Sequence, residues 1–493
     1  MAGNRWPFRV HWLPCASWIV VLPCVALLVA KSLSTTHVQA GASSVVASMT
    51  RDAKPVKEKS VLPPLPPLVL ANDETTTELA QEVHSRTTTT PRTGNLPKRR
   101  RRHHANETLI NITAQVESMP RSSYNFTDLV LRHDLARPFT FGPAERHLPP
   151  TDRSQTWCVP SYTKRRPRHG LLLNKMPKAA SSTMSGIALR IAQHYAERYF
   201  PNATANNATR TIPCNARVGH VPGYKAGQTF GHRDRMGRSF LFSTLRDPAR
   251  RSLSRVYFTR VSQAGQRPTE HSIFHWLRTS TSAQYGSVSP GMGGFQLAYL
   301  AFRDIEEWSA WSEDDPYRVR DAELVHEIVR EIMMEYDLLM LVERFDECLV
   351  VMQLLLGLDV GDILYLSSKH AGNYYYSPRR NECIQLAKTE PIPTIEAYLK
   401  SAEWDAMNYG DYLLYEASNQ SLDLTIEALG REQFHKALDA FVMLKGRAEE
   451  RCAAEAVFPC SSTGEVQLDR SFENCYDNDW GCGFPCLDAL LEY

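Results

Sequence analysis

Three times between residues 170 and 360 a short apolar run ends in a loop and gives way to an amphipathic stretch. "GLLLNKM" (170–176) reads as a buried strand. After the loop "PKAASST", Met184, Ile187, Ala188, Ile191, Tyr195 and Tyr199 recur at helical spacing. "SFLFSTL" (239–245) is a second strand, followed by "RDPARRSLSRVYFTRV". There Asp247 can cap a helix with Pro248 at its first position, and Leu253, Val256, Tyr257 and Val261 share one face. "DLLMLVERFDECLVVMQLLLG" repeats the pattern, with a strand to Val342, a turn, and a helix from about Asp346. Repeated strand–loop–helix units predict an α/β domain with a central, largely parallel sheet flanked by helices. Ligands of such sheets sit beyond the carboxyl ends of the strands, so the loops are where chemistry is expected.

In the first loop, helix-start N–H groups, the hydroxyls of Ser181, Ser182 and Thr183, and Lys178 converge. That combination makes a cradle for an oxyanion; a helix capped by Ser181 or Ser182 beside a solvated lysine is the plainer alternative. The G-x-x-x-x-G-K-[ST] spacing is absent, which disfavours ATP-type phosphoryl transfer. In the second loop Arg246 stands at the strand end and Ser254 about two helical turns on. An arginine and a hydroxyl so placed can grip one further phosphate from two sides. Two separate anion sites suggest a nucleotide carrying phosphates at both ends.

The flanks point to the secretory pathway. Residues 12–30 carry no charge, with Arg5 and Arg9 before them and Lys31 after. About 19 apolar residues just span a bilayer, and basic residues on the short side keep that end cytoplasmic. The expectation is a cytoplasmic tail (1–11), a signal anchor (12–30), a disordered stem (31–155), a catalytic domain (156–450) and a cysteine-rich tail (451–493). The rival to the anchor is a signal peptide cleaved after "VQA" at Ala40. The stem assignment rests on "SVLPPLPPLVL" and a threonine-rich stretch, compositions that bury too little apolar surface to fold alone. The basic run Lys98–Arg102 inside it is either a solvated linker or a processing site. Six sequons occur, at Asn106, Asn111, Asn125, Asn202, Asn207 and Asn419. Eleven cysteines include Cys15 and Cys24 in the apolar run, and Cys452, Cys460, Cys475, Cys482 and Cys486 crowd the tail. In an oxidising lumen these read as disulfides, and the odd number outside the apolar run leaves one thiol over. Zinc is the alternative, with poor ligand spacing. A net charge of +2 argues against wholesale nucleic-acid binding.

The two loops resemble the cofactor motifs of sulfotransferases, which use 3′-phosphoadenosine 5′-phosphosulfate (PAPS). "PKAASST" is similar to the Golgi version K-T-G-S-S-T, with Ala179 and Ala180 in place of Thr and Gly, and "LRDPARRSLSRVYF" matches the R-(D/E)-P…S element. Downstream, "LMLVERFDECLVVMQLLLGLDVGDILYL" and "NYGDYLLYEASNQS" resemble the galactose 3-O-sulfotransferase branch. The likeness covers roughly residues 170–441. It implies a P-loop-like sulfotransferase fold, PAPS as donor with no metal, and a glycan or glycolipid acceptor, with O-3 of galactose one candidate position. It further implies a Golgi type II membrane protein with a lumenal catalytic domain. The loop residues Lys178, Ala179, Ala180, Ser181, Ser182 and Thr183 would hold the sulfate end, and Arg246 and Ser254 the 3′-phosphate. Lys178 would also stabilise charge on the leaving nucleotide.

A sugar hydroxyl needs a base, and histidine is the usual choice near neutral pH. His220 in "ARVGHVPGYK" best fits the histidine that precedes the R-D-P element in related Golgi enzymes, with His232 and Glu343 as alternatives. His194 reads as surface or core. Arg250, Arg251 and Arg255 are expected to receive an acidic acceptor or the nucleotide, or to be solvated. Two readings from other classes stay open: a nucleotide kinase, and an inactive tethered glycan-binding protein.

Overall fold

The computed structural model describes residues 112–141, 170–199, 215–220, 239–279, 294–301, 315, 317–366, 371–377, 380–456, 458–467 and 483–490. The expected anchor, the basic run, His232, four of the sequons (Asn106, Asn111, Asn202, Asn207) and Cys475 and Cys482 lie outside them. No described helix is long and apolar enough to cross a membrane.

Four strands, β1 (Gly170–Asn174), β2 (Asn215–Gly219), β3 (Phe240–Leu245) and β4 (Leu338–Leu341), form one parallel sheet in the order β2-β1-β3-β4. Every residue of β1, β3 and β4 is buried. That is why these strands read as unbroken apolar runs: both faces of a parallel sheet are covered. Asn174 pairs with Gly219 on one side and Ser243 on the other, and Leu245 pairs with Leu341. The register therefore brings all four carboxyl ends to one edge.

The helices follow in chain order: α1 (Ile112–Glu117), α2 (Phe126–Arg132), α3 (Ser181–Tyr199), α4 (Pro248–Val256), α5 (Glu270–Thr279), α6 (Phe295–Leu300), α7 (Ala322–Glu335), α8 (Phe345–Leu356), α9 (Pro393–Tyr398), α10 (Ala402–Met407), α11 (Tyr409–Leu429), α12 (Arg431–Cys452) and α13 (Phe484–Ala489). A small antiparallel hairpin, β5 (Tyr374–Ser377) with β6 (Glu382–Gln385), lies apart from the main sheet. The expected face of α3 is the buried one, through Met184, Ile187, Ala188, Ile191 and Tyr195. Asp247 caps α4 as expected, accepting from the Arg250 N–H at 2.8 Å. The helix α4 runs straight into a π-helical segment, Tyr257–Gln263. Its wider turn is accompanied by Ser262 Oγ donating to the Tyr257 carbonyl five residues back.

Two expected boundaries need correction. Residues 112–141 were expected in a disordered stem, yet they fold onto the domain. Val130, Leu135 and Phe139 join the main core, each contributing about 1.5–3 kcal/mol of transfer free energy. The Arg137 and Phe139 N–H groups donate to Ser421 Oγ and Thr425 Oγ1 of α11, and Arg137 Nε donates to the Met333 carbonyl of α7, so the segment is tied to both helices. The cysteine-rich tail is likewise no mere appendage. Cys452–Cys486 links α12 to α13, and Cys460 bonds Cys383 in β6 instead of another tail cysteine. Asp488 of α13 pairs at 2.6 Å with Arg190, a buried residue of α3. Cys348 is a free thiol buried in α8. Asn419, one of the sequons, sits inside α11 with its side-chain carbonyl accepting from Arg344, a poor setting for a glycan acceptor.

Candidate active site

Each of the four strands delivers a candidate residue at its carboxyl end. From β1 the chain passes Lys175 and turns into α3. The Lys175 N–H donates to the Gly219 carbonyl at 2.7 Å. Lys178 and Ala180 have φ of 67° and 52°, so the loop takes two left-handed steps within three residues. Ala179 between them is fully buried. This double twist brings Ser181, Ser182 and Thr183 to the first turn of α3, where backbone N–H groups lack helical partners. The Lys178 ammonium lies 4.0 Å from the centroid of the Phe258 ring, which the π-helical segment supplies.

From β3, Arg246 is clamped through its backbone by Gln296, whose amide accepts from the Arg246 N–H and donates to the Arg246 carbonyl. Its Nη1 donates to the Lys178 carbonyl at 3.4 Å, and its buried Nε has no protein partner. The two loops singled out by sequence are thus in contact. Ser254 lies half-buried in α4.

The arginines after Arg246 divide sharply. Arg250 is exposed, whereas Arg251 is only 3% exposed. Arg251 and Arg255 both lie over the Phe295 ring, at 4.3 and 4.8 Å. Burial pushes the Arg251 guanidinium down to about 10, with Arg255 and Arg246 adding to the effect and Asp411 opposing it. Asp411 is itself buried and accepts from the Leu297 N–H; burial raises its carboxyl to about 6. Arg251 and Arg255 share the Phe295 ring, and Arg246 is near enough to act on Arg251, a concentration of positive charge suited to a polyanion.

From β2, His220 directs Nδ1 to the Lys175 carbonyl at 2.6 Å, and Tyr299 OH donates to the same oxygen at 3.3 Å. The carbonyl can only accept, so Nδ1 carries the hydrogen and the neutral ring's basic nitrogen is Nε2. His220 is exposed and stands at the strand end beside β1. From β4, Glu343 accepts from the Asp247 N–H at 3.3 Å and from Tyr415 OH at 3.1 Å. It holds the R-D-P turn and offsets the charge of Arg246. His194 is not near these ends; it is ion-paired with Asp362 and Asp488.

Lys178, the serines and threonine, His220 and Arg246 therefore all meet at one edge of the sheet. Phe258, Phe295, Gln296 and Tyr299 also serve this edge and were not singled out from sequence. Gln296 and Tyr299 lie in "GFQLAYL", which carries no motif, and only the tertiary approach of α6 to β3 gives them a role.

A family model described as galactose-3-O-sulfotransferase matches residues 124–458. The galactosylceramide sulfotransferase of Homo sapiens is 24% identical over 309 residues, spanning 58% of this chain and 64% of the relative. That of Mus musculus is 26% identical over 285 residues, 54% and 60% of the two chains. That of Bos taurus is 25% identical over 301 residues, 58% and 64%. The matched part of the chain thus covers less than two thirds of each relative's length. No solved structure matches.

Proposed function

The chain belongs to the galactose-3-O-sulfotransferase family, and from that premise we propose that it transfers a sulfuryl group from PAPS to a hydroxyl of a galactose-containing glycan or glycolipid, with O-3 of galactose the first candidate. The observation that carries this reading is the Arg246–Lys178 contact, which unites two anion-holding loops at the carboxyl edge of the sheet.

The residues present fit such a donor. Arg246 keeps a buried, unpartnered Nε, the first turn of α3 offers N–H donors and hydroxyls, and the arginine cluster supplies positive charge. Lys178, Ser181, Ser182, Thr183 and the backbone of Ala179 and Ala180 would hold the 5′ side, and Arg246 with Ser254 the 3′-phosphate. When bound, PAPS would supply an activated sulfuryl group for in-line displacement, a reaction governed by positioning and charge stabilisation. Lys178 would stabilise the negative charge that grows on the departing bridging oxygen. His220, with Nδ1–H fixed on the Lys175 carbonyl, would take the acceptor hydroxyl's proton at Nε2. Glu343 would keep the Arg246–Asp247 turn in place through its contact with the Asp247 N–H.

We further place the enzyme in the Golgi membrane as a single-pass type II protein. The uncharged run at 12–30 with basic residues on its short side supports that orientation, and the two disulfides suit an oxidising lumen.

The test is transfer of labelled sulfate from PAPS to a panel of galactose-terminated glycans and galactosylceramide, with the product position read by NMR and Lys178→Ala as the inactive control. Labelling of a galactose hydroxyl by the wild type alone is the expected result. Failure to sulfate any galactose acceptor, in a preparation that binds 3′,5′-bisphosphoadenosine, would overturn the reading.

A further inference from the structure

Three side chains from two distant parts of the sequence converge outside the residues discussed so far. His133 closes α2, and Glu323 and His326 lie in the first turns of α7. Each offers one ligand atom, and these atoms all lie within 4.8 Å of one another. The two imidazoles are 3.8 Å apart between ring centroids, tilted by 39°. His326 Nδ1 is 3.7 Å from Glu323 Oε1, beyond hydrogen-bonding distance.

His326 determines what this cluster can do. The residue is 3% exposed. Its Nε2 lies 2.9 Å from Tyr409 OH, whereas its Nδ1 is buried with no hydrogen-bond partner. An Nε2–H given to Tyr409 leaves the lone pair of Nδ1 facing His133 and Glu323. A metal-ligating histidine is arranged in this way, with its second nitrogen anchored by an outer partner. In that tautomer the buried Nδ1 lone pair has no partner of its own, and a divalent cation held between the two imidazoles and Glu323 supplies one.

We propose that His133, Glu323 and His326 bind a divalent transition metal, with zinc the best match to two imidazoles and one carboxylate and water completing the set. Around tetrahedral zinc with bonds of about 2.0–2.1 Å, ligand atoms lie about 3.3 Å apart. The cluster therefore has to contract on loading, and Glu323, with a side chain 84% exposed, has room to do so. The site would fasten α2 to α7, which already meet where Arg330 Nη2 donates to the His133 carbonyl. Its outer partner Tyr409 opens α11, two residues before the Asp411 that faces Arg251. The role is one of holding the fold, and it does not rest on the sulfuryl-transfer reading.

The experiment is titration of the full chain, tag-free, in detergent and stripped by chelator, with zinc and separately with cobalt(II). The expected result is one zinc per chain, a higher melting temperature on loading, and visible absorption from four-coordinate cobalt. Glu323→Gln and His133→Asn should each weaken zinc binding at least tenfold, and His326→Asn should abolish it. Because His326 is buried and its variant can fail to fold, the exposed Glu323 carries the decision. No zinc bound by the wild type, or zinc affinity unchanged in Glu323→Gln and His133→Asn, would overturn the proposal.

Discussion

Arg246 Nη1 donates a hydrogen bond to the carbonyl oxygen of Lys178, 3.4 Å away and 68 residues earlier in the chain. The side chain assigned to the 3′-phosphate therefore also steadies the loop assigned to the sulfate end. Ser254 has no such second task, since it lies within α4.

That difference separates two substitutions in the same motif. Ser254→Ala should weaken 3′,5′-bisphosphoadenosine about tenfold, consistent with one charge-assisted contact of about 1.5–3 kcal/mol. Its effect on adenosine 5′-phosphosulfate, which lacks the 3′-phosphate, should be small. Arg246→Ala should weaken the bisphosphate at least as much and also lower turnover at saturating donor, because Lys178 loses its tether. Isothermal titration with both nucleotides, together with turnover, checks this. Equal losses for both nucleotides in Ser254→Ala would mean that this serine does not read the 3′ end.

Ala180 tests the loop that holds the sulfate end. It adopts φ of 52°, a left-handed conformation costing an alanine about 1–2 kcal/mol relative to glycine. Glycine gives back about 0.4–1 kcal/mol through a freer unfolded chain. Ala180→Gly should therefore be neutral or stabilising by up to about 1.6 kcal/mol, with activity kept. Ala180→Val should melt several degrees lower and lose donor affinity, because a β-branched residue resists positive φ. Thermal melts of the pair decide the matter, and a valine variant as stable as the wild type would remove the strain argument.

How much of this was legible depended on what kind of signal each part carried. The strands β1, β3 and β4 stood out because burial on both faces makes them continuous apolar runs, and Asp247 and Pro248 marked the start of α4 by their own chemistry. The edge strand β2, "NARVG", has no such run, so His220 was found without the strand that positions it. Residues 112–141 do not stand out in the sequence because their apolar groups are short and follow a long proline- and threonine-rich stretch; only packing against the rest of the domain buries Val130, Leu135 and Phe139. Cys383 lies 77 residues before its partner Cys460, a separation that spacing within the tail could not suggest. The arginine cluster was visible as a run, but which arginine is buried depends on α6 and α11 arriving from elsewhere.

His194 links α3 to the tail and gives a pH dependence. Its Nδ1 lies 3.3 Å from Asp362 Oδ1, and its Nε2 3.1 Å from Asp488 Oδ1. Burial alone would depress the imidazole, but the two hydrogen bonds outweigh it and raise it to about 9. A raised value means that its contribution is complete below about pH 6.5 and fades as pH rises through about 9. The two aspartates are held below the ordinary carboxylate value by these partners despite burial, so their contribution is present at neutral pH and lost only in acid. After allowance for solvent screening, the histidine's share is about 1–2 kcal/mol. His194→Gln should melt a few degrees below the wild type at pH 6 and match it above pH 9. A gap that stays constant from pH 6 to pH 10 would mean that the histidine acts by shape alone.

The identity of the base is the sharpest test of the proposed chemistry, because two candidates stand at the carboxyl ends of the two outer strands, β2 and β4, with different partners. His220 is exposed, and its Nδ1–H is committed to the Lys175 carbonyl, which fixes Nε2 as the basic nitrogen. Glu343 already accepts from the Asp247 N–H and Tyr415 OH, contacts that suit a residue holding a turn. His220→Ala should therefore cut turnover by roughly 10²–10⁴ while binding of 3′,5′-bisphosphoadenosine survives. Glu343→Gln keeps an acceptor for the Asp247 N–H and should shift nucleotide affinity, with turnover at saturation changed less than about tenfold. A merely positional role for His220 would be met by His220→Gln, whose amide can still donate to Lys175, so that variant should remain as inactive as His220→Ala. Added imidazole should restore part of the His220→Ala activity, since the site is open to solvent. Recovery in His220→Gln, or a larger loss in Glu343→Gln with nucleotide binding intact, would transfer the proton to Glu343.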